Sequence, residues 1–366
     1  MPSRPEPTLC RLATVRRGTA DESWHSGAIA VVSPGGALLH SAGDAALPVV
    51  VRSTVKPFQA LPLLLSGGEA AYSLAGEDLA LLCSSHSGTP AHRARALSLL
   101  ARGGFTAADL LCGAHRPLGE VTAQAEERGD SGQGAPWTAL HNNCSGKHAG
   151  MLLACRKLGF DPAGYIDPQH PLQQRIAAEL GEVLGAGAPV PPCGIDGCSA
   201  PTFAVPLAAL ARGFAALADP AASGLDAKRA DALGRLGSSM AAHPEMVAGP
   251  GRFTTALIAA TAGRVVGKEG AEGVYALAVR GPRPLGIAIK FADGAERCRD
   301  IVVLELLQRL GALRPAERAA LAGFDPPVER NHRGLAVGRI EAEFELDGTA
   351  ASVSDPAGQA VRARPA

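Results

Sequence analysis

Apolar and polar positions suggest sheet-forming sequence mainly near the two ends of the chain. Apolar runs over residues 28–33 and 37–41 are separated by Pro-Gly-Gly, which predicts a β-hairpin. Runs over 274–279 and 285–291 flank Gly-Pro-Arg-Pro and predict a second hairpin. Over 340–346, apolar residues alternate with glutamates, a pattern typical of a strand with one face in water.

The middle of the chain has helical patterns instead. The predicted helices cover residues 90–102, 145–159, 172–184, 226–242 and 299–310. Thr89-Pro90 supplies a cap and a first-turn proline, and Gly159 suits a left-handed helix end. Strands at both ends around a helical centre predict an α+β fold, an antiparallel sheet with helices on both sides. We expect a single domain over 1–366, with its helical part near 90–245.

Composition excludes several classes of protein. The 35 basic and 35 acidic residues of this 366-residue chain cancel, so no nucleic-acid or membrane-surface footprint is indicated. No apolar run approaches the ~18 residues of a membrane span, and no signal peptide is evident. The eight cysteines lack small-domain spacing and are expected to be thiols or metal ligands. These features predict a soluble, cytoplasmic globular protein, most simply an enzyme.

Ser53 and Lys56 form a Ser-x-x-Lys motif in which the two side chains stand one helical turn apart. A lysine kept neutral by burial can take the proton of a serine and make it a nucleophile. Pro57 restricts the motif to the opening turn of a helix, where the dipole favours a developing oxyanion. The same residues also fit a helix start with a serine cap and a solvated lysine.

Two further polar stretches supply candidate partners for Ser53. In Cys-Ser-Ser-His-Ser-Gly over 83–88, Ser85 or His86 can lie beside Ser53, although a serine-rich helix-capping connection fits equally well. In Gly-Lys-Glu-Gly, Lys268 precedes a strand in a turn that lets a ligand approach closely. Such a lysine is usually solvated, but a second lysine before an inner strand recurs in Ser/Lys acyl-transfer enzymes.

Two cysteine-containing stretches carry a different chemistry. Asn142 precedes Cys144 and Lys147 at a predicted helix start, which suits binding of a carboxylate or an amide. Cys144 is a candidate thiolate ligand or nucleophile, or simply a small buried residue. Asp196 and Cys198 lie in a glycine-rich turn, which we expect to precede a helix with Pro201 as its early proline. A metal site would have to assemble across the chain, for example from Cys144 and Cys198.

Taken together and in their order along the chain, the five stretches resemble the asparaginase family typified by the thermolabile rhizobial enzyme. The strings Cys-Ser-Gly-Lys-His over 144–148 and Asp-Gly-Cys-Ser-Ala-Pro over 196–201 are the most specific part of the match. The resemblance implies a fold similar to serine β-lactamases and glutaminases. It also implies a homodimer with L-asparagine as substrate.

The resemblance further implies roles for single residues. It pairs Ser53 with Lys56 and Ser85 with Lys268 as catalytic residues. It implies a zinc site with Cys144, Lys147 and Cys198 as ligands and with Asp196 and His148 as neighbours. Arg52, His86, Asn142 and Asp196 become candidate substrate-binding residues, and Arg52 in particular becomes a clamp for the substrate α-carboxylate. An acidic residue is expected at position 254, where this chain has Thr254.

The predicted reaction is hydrolysis of L-asparagine to L-aspartate and ammonia, a step of amino-acid catabolism, with Ser53 as the preferred nucleophile. Two other hypotheses stay open. The same parts fit another serine acyl-transfer hydrolase, such as a glutaminase, a penicillin-recognising enzyme or a peptidase. They also fit a catalytically idle zinc-binding or amino-acid-binding protein, although a binding protein has no need for two poised lysines.

Overall fold

A computed structural model describes residues 7–127, 137–325 and 328–348 of the chain. Within these ranges, no helix is both long enough and apolar enough to cross a membrane. The strands are β1 (Cys10–Arg17), β2 (Ala20–Val32), β3 (Leu38–Ala42), β4 (Pro48–Val50), β5 (Pro192–Ile195), β6 (Pro201–Pro206), β7 (Val265–Gly270), β8 (Val274–Val279), β9 (Leu285–Phe291), β10 (Glu329–Arg330), β11 (Ala336–Ala342) and β12 (Asp347–Gly348).

Most helices lie between the fourth and the seventh strand. They are α1 (Lys56–Gln59), α2 (Leu61–Leu65), α3 (Gly68–Ala71), α4 (Gly76–Leu82), α5 (Pro90–Arg102), α6 (Glu120–Glu127), α7 (Ser145–Leu158), α8 (Pro171–Leu184), α9 (Leu207–Ala218), α10 (Ala227–Ala242), α11 (Pro244–Val247), α12 (Phe253–Ala260), α13 (Arg299–Arg309) and α14 (Pro315–Ala320). Three short 3-10 helices cover Arg52–Val55, Ala107–Asp109 and Ala322–Phe324.

The main sheet is antiparallel and joins strands from both ends of the chain. Its order is β10-β11-β1-β2-β9-β8-β7, with β3 pairing to β2 and β12 to β3. A small second sheet has the order β4-β6-β5. Because successive side chains of a strand point to opposite faces, β2 contributes to two separate apolar cores. Ala28 and Ala30 pack into one core, and Ile29 and Val31 pack into the other.

Helices cover both faces of the main sheet. Helix α9 packs against β2, β8 and β9 on one face, where Gly286 of β9 leaves room for the helix backbone. Residues of α12 and α13 belong to the core on the opposite face. The predicted α+β arrangement, an antiparallel sheet with helices on both sides, is therefore confirmed.

The local predictions hold where turn and cap signals are strong. Both hairpins form, as β2–β3 and β8–β9. Helix α5 begins after Thr89, whose side chain accepts a hydrogen bond from the His92 N–H, and α7 ends at Gly159 with φ of +73°. The predicted helices over 172–184, 226–242 and 299–310 correspond to α8, α10 and α13, with small shifts at their ends.

Three local predictions are wrong. Pro201 begins strand β6, and the helix starts only at Leu207, because residues 201–206 pair with both β4 and β5. Lys268 does not precede a strand: it lies inside β7, which ends the sheet order next to β8. The C-terminal strand β11 covers Ala336–Ala342, earlier than the predicted 340–346, and its pairing with β1 runs from Gly338 opposite Arg17 to Ala342 opposite Ala13.

Candidate active site

A cavity of about 530 Å³ collects side chains from segments that are far apart in sequence. The 3-10 turn before α1 contributes Arg52 and Ser53, and the loop after α4 contributes Ser85. The start of α7, the β5–β6 turn and the end of β7 also line the cavity, together with Arg252, Glu296 and Arg299. His115 and Leu118 complete the wall. Pockets of this size are typical of small-molecule sites.

Ser85 is the centre of a buried hydrogen-bond cluster at this cavity. Its Oγ lies 3.0 Å from Lys56 Nζ and 2.7 Å from Lys268 Nζ. Lys56 Nζ also donates to the Ser84 carbonyl at 2.6 Å, and Lys268 Nζ to the Glu269 carbonyl at 2.8 Å. Both lysine side chains are almost fully buried, so water does not compete for these contacts.

The environment of Lys268 favours its neutral form. Burial and the neighbouring Lys56 cation lower the pKa of Lys268 from 10.5 to about 7, and nearby Glu269 opposes this only in part. An amine that is partly neutral near pH 7 can accept a proton from a hydroxyl in contact with it. The Ser85–Lys268 contact is therefore competent for proton transfer.

Ser53 also lines the cavity, but its environment differs from the prediction. Within the described ranges its Oγ makes no hydrogen bond, and Lys56 instead contacts Ser85. The two predicted Ser–Lys pairs are thus one cluster of Lys56, Ser85 and Lys268, with Ser53 beside it on the cavity wall. Lys56 reaches Ser85 because the segment carrying its helix, α1, is buried against the loop after α4.

Arg52 occupies an unusual backbone conformation next to Ser53. Its φ is +46°, a region that non-glycine residues rarely adopt and that is concentrated at functional sites. Its guanidinium holds Asp196 by two contacts, at 3.0 Å from Nε and 2.8 Å from Nη2. Against the effect of burial, Arg52 lowers the pKa of Asp196. This pair places a cation and an anion side by side on the wall of the cavity.

A second charged group on the wall was missed by the sequence analysis. Arg252 is hydrogen-bonded to the buried Glu269, and Arg299 Nη1 lies 3.8 Å from the same carboxylate. Arg299 also binds Glu296 and Asp300, at 2.8 Å each, so these groups form a network of paired charges beside the cavity. The only local signal for Arg252 was its Gly-Pro-Gly-Arg context, and for Arg299 there was none.

Comparison of the sequence with known protein families identifies the family of this chain. The L-asparaginase II family model matches residues 13–342, which span every segment of the cavity wall. The chain belongs to the L-asparaginase II family. No curated protein matches the chain.

Solved structures similar to this member of the L-asparaginase II family were also found. A protein named Mglu, in its native form, aligns at 16% identity with a TM-score of 0.44, covering 79% of this chain and 64% of its own. The chain thus spans less than two thirds of Mglu. A β-lactamase from Mycobacterium bovis aligns at 16% identity with a TM-score of 0.38, covering 81% of this chain and 94% of its own.

The three predicted zinc ligands lie together beside the cavity. Lys147 Nζ is 2.9 Å from Cys198 Sγ, and Cys144 and Cys198 both line the wall. Interaction with the Cys198 thiol, helped by the cations of Lys56 and Lys147, holds the pKa of Cys144 well below its usual range. Although burial opposes its charge, the two sulfurs raise the pKa of Lys147. The group is therefore an ion-paired cluster of two sulfurs and one amine.

This donor set fits a soft metal ion such as zinc. Thiolate sulfur is a preferred zinc ligand, and the buried Nε2 of His148 beside Cys198 has no hydrogen-bond partner among the described residues. Its other ring nitrogen lies 2.6 Å from Tyr165 Oη, which fixes the ring. No three His, Cys, Asp or Glu side chains in the described part of the chain form a metal-binding group, so Lys147 would have to take part.

The remaining candidate residues have different surroundings. His86 is buried outside the cavity wall, where Nε2 contacts Ser145 Oγ at 2.9 Å and Nδ1 accepts from the Gly88 N–H. Asn142 lines the cavity, but its amide donates to the carbonyls of Cys112 and Gly113. Its Oδ1 accepts from the Cys144 N–H, so Asn142 orders the start of α7.

Thr254, at the position where an acidic residue was expected, does not line the cavity. Its Oγ1 lies 2.9 Å from Tyr275 Oη in the buried core beneath α12.

Proposed function

We propose that this member of the L-asparaginase II family hydrolyses L-asparagine to L-aspartate and ammonia by Ser–Lys nucleophilic catalysis. Family membership supports an amidohydrolase. The observation that carries the mechanism is the Ser85 hydroxyl held between two buried lysine amines on the wall of a charged cavity.

The charges of the wall suit a zwitterionic amino acid. Arg52, Arg252 and Arg299 offer donors for an α-carboxylate, and Asp196 and Glu296 offer acceptors for an α-ammonium group. A substrate held at its α-carbon presents its side-chain amide to the serines. We retain Arg52 as the carboxylate clamp and add Arg252 as a second guanidinium donor.

Ser53 is the serine proposed to attack. Its Oγ is free of protein hydrogen bonds in the described structure and lines the cavity, whereas Ser85 Oγ is occupied by two amines. The Lys56 cation gives a proton to Ser85, and Ser85 passes its own to the neutral amine of Lys268. The Lys56 amine freed in this way takes the proton of Ser53 as Ser53 attacks the amide carbon.

The later steps use the same relay in reverse. Backbone N–H groups at the 3-10 turn of Ser53 would stabilise the oxyanion. The proton on Lys268 returns through Ser85 to the leaving nitrogen, ammonia departs, and water releases aspartate from the acyl-enzyme. The tight contacts around Ser85 also support a variant mechanism, in which Ser85 attacks and Lys268 is the direct base.

A zinc ion, if bound, would be held by Cys144, Lys147 and Cys198. Zinc would supply a rigid, positively charged centre that orders the α7 start and the 196–198 turn beside the substrate. The chain's own residues carry the proton transfers proposed above. We further propose the homodimer that the resemblance implies and the cytoplasmic location that the composition predicts. Light scattering of the purified protein tests the dimer.

The deciding experiment is ammonia release from L-asparagine and L-glutamine, with Ser53→Ala and Ser85→Ala measured in parallel. Release from asparagine that is lost in Ser53→Ala supports the proposal. Loss in Ser85→Ala with turnover kept in Ser53→Ala would move the nucleophile to Ser85. No release from either amide by folded protein would refute the amidohydrolase, and acylation by a penicillin would then favour a different hydrolase.

A further inference from the structure

A second cavity, of about 870 Å³, lies away from the serines. Its wall includes Arg264, just before β7, and residues of the β8–β9 turn, the end of α13 and the β3–β12 edge. It shares no lining residue with the candidate active site. Nothing in the proposed reaction uses it.

Five arginines line this second cavity, and they are only partly neutralised. Arg264 and Arg309 are paired with Glu317 and Glu305, respectively. The Arg283 side chain makes no hydrogen bond or ion pair within the described ranges. There the Arg280 guanidinium donates only to the Ser238 hydroxyl, at 3.1 Å. Arg314 is exposed, with its nearest carboxylate, Glu317, at 3.7 Å. The wall therefore carries an excess of guanidinium donors over the carboxylates that bind them.

The rest of the wall is aliphatic. Leucine, valine and proline side chains supply it: Leu39, Val279, Pro282, Pro284, Leu285, Leu310 and Leu346. None of the lining residues is Phe, Tyr or Trp. An aliphatic wall beside unpaired guanidinium groups matches a ligand that is anionic at one end and aliphatic at the other.

We propose that this cavity binds a small aliphatic ester of phosphate or diphosphate. Guanidinium groups hold phosphate oxygens by pairs of parallel hydrogen bonds, and several such groups match a multiply charged head better than a single carboxylate. The aliphatic wall takes the hydrocarbon part, whose burial adds affinity with each methylene.

A second copy of the chain is a poor occupant of the same surface. A two-fold interface centred on this cavity would place the patch against its own copy, so the unpaired arginines would face one another. Like charges brought together in this way are unfavourable, and they would need an added anion between them. A bound anionic small molecule removes that conflict.

Calorimetric titration with geranyl diphosphate and with inorganic diphosphate, at physiological salt, tests the proposal. Arg283→Gln removes the unpaired guanidinium, and Arg280→Gln provides a second variant on the same wall. Arg333→Gln is the matched control, because Arg333 is also an exposed arginine but lies outside this cavity. Thermal unfolding of each variant verifies that it is folded.

We expect saturable binding of geranyl diphosphate, at least about tenfold tighter than that of inorganic diphosphate. Arg283→Gln should weaken it about tenfold or more, while Arg333→Gln leaves it unchanged. Absence of saturable binding up to about 1 mM, which means a Kd above the millimolar range, would overturn the proposal. Equal affinity of the wild-type protein and both cavity variants would also overturn it. Because the readout is binding, the result is independent of ammonia release.

Discussion

Lys268 Nζ lies 2.7 Å from Ser85 Oγ although 183 positions separate the two residues in the chain. The contact joins the edge strand β7 to the loop after α4, and it brings a lysine with a lowered pKa to a serine that another lysine also contacts. Burial of the Lys268 amine is what makes the arrangement reactive, since an exposed lysine would stay protonated. The chemistry proposed here therefore depends on long-range packing.

The first prediction concerns the pH dependence of turnover. The pKa of Lys268 is lowered to about 7, so its amine becomes neutral, and able to accept a proton, as the pH rises through that value. Ammonia release should rise between about pH 6 and pH 8. Lys268→Arg stays charged, so its ammonia release should not rise with pH. Its rate of ammonia release should also be roughly 10²–10⁴-fold below that of the wild type. Lys157→Arg, at an exposed lysine of α7, is the control; a rise that persists in Lys268→Arg would contradict the assignment.

The second prediction concerns stability. Since the folded pKa of Lys268 is below its ordinary value of 10.5, the unfolded chain binds more protons between about pH 7 and 10.5. The contribution of Lys268 to the free energy of unfolding must then rise with pH across that window. Below about pH 7, the burial of this lysine destabilises the fold to its full extent. At pH 6, Lys268→Met should be more stable than the wild type by on the order of a few kcal/mol, less the lost hydrogen bonds.

Urea unfolding at pH 6 and pH 9 measures this effect. The wild type should gain stability relative to Lys268→Met as the pH rises, and Lys157→Met should follow the wild type because that lysine is exposed. Parallel pH dependence of the wild type and Lys268→Met would show that Lys268 is not held in its neutral form.

Short-range signals account for the elements that were predicted correctly. The β8–β9 hairpin and α5 follow from turn and cap residues adjacent to them in sequence. Pro201 was misassigned because a proline before an apolar run fits a helix start as well as a strand, and only pairing with β4 and β5 decides between them. The spacing of Ser53 and Lys56 also could not reveal that Lys56 bonds to Ser85.

The third prediction tests the packing of α9 on the sheet. A methyl group at Gly286 would lie 1.9 Å from the Ala211 carbonyl oxygen and 2.1 Å from the Ala215 nitrogen, both in the helix backbone. Gly286→Ala should therefore destabilise the fold by about 1–3 kcal/mol or more in urea unfolding. Gly35→Ala is the control, since nothing lies within 4 Å of the added methyl group. A neutral Gly286→Ala would mean that α9 is free to move away from β9.

The fourth prediction concerns metal content. If Cys144, Lys147 and Cys198 hold zinc, elemental analysis of the purified protein should give about one zinc per chain, and Cys144→Ser should lose most of it. Cys193→Ser is a matched control, because Cys193 is exposed and lies close to Cys198 in sequence. Zinc that is retained in Cys144→Ser, or absent from the wild type after purification with added zinc, would refute the site. The readout does not depend on activity.

The last prediction separates the strain at Arg52 from its charge. Arg52→Ala and Arg52→Gly both remove the guanidinium that binds Asp196, and both should raise KM for asparagine by roughly tenfold or more. Only glycine adopts the φ of +46° without cost. The free energy of unfolding, measured in urea, should therefore be higher for Arg52→Gly than for Arg52→Ala by about 1 kcal/mol.

The two Arg52 variants control for each other, because they differ only in one methyl group. A raised KM in both variants, with a stability difference between them, means that the guanidinium binds substrate and that the φ of +46° costs stability when the residue is not glycine. If KM stays unchanged and kcat falls in both variants, Arg52 acts on the reacting groups and the carboxylate clamp must lie elsewhere, with Arg252 as the next candidate.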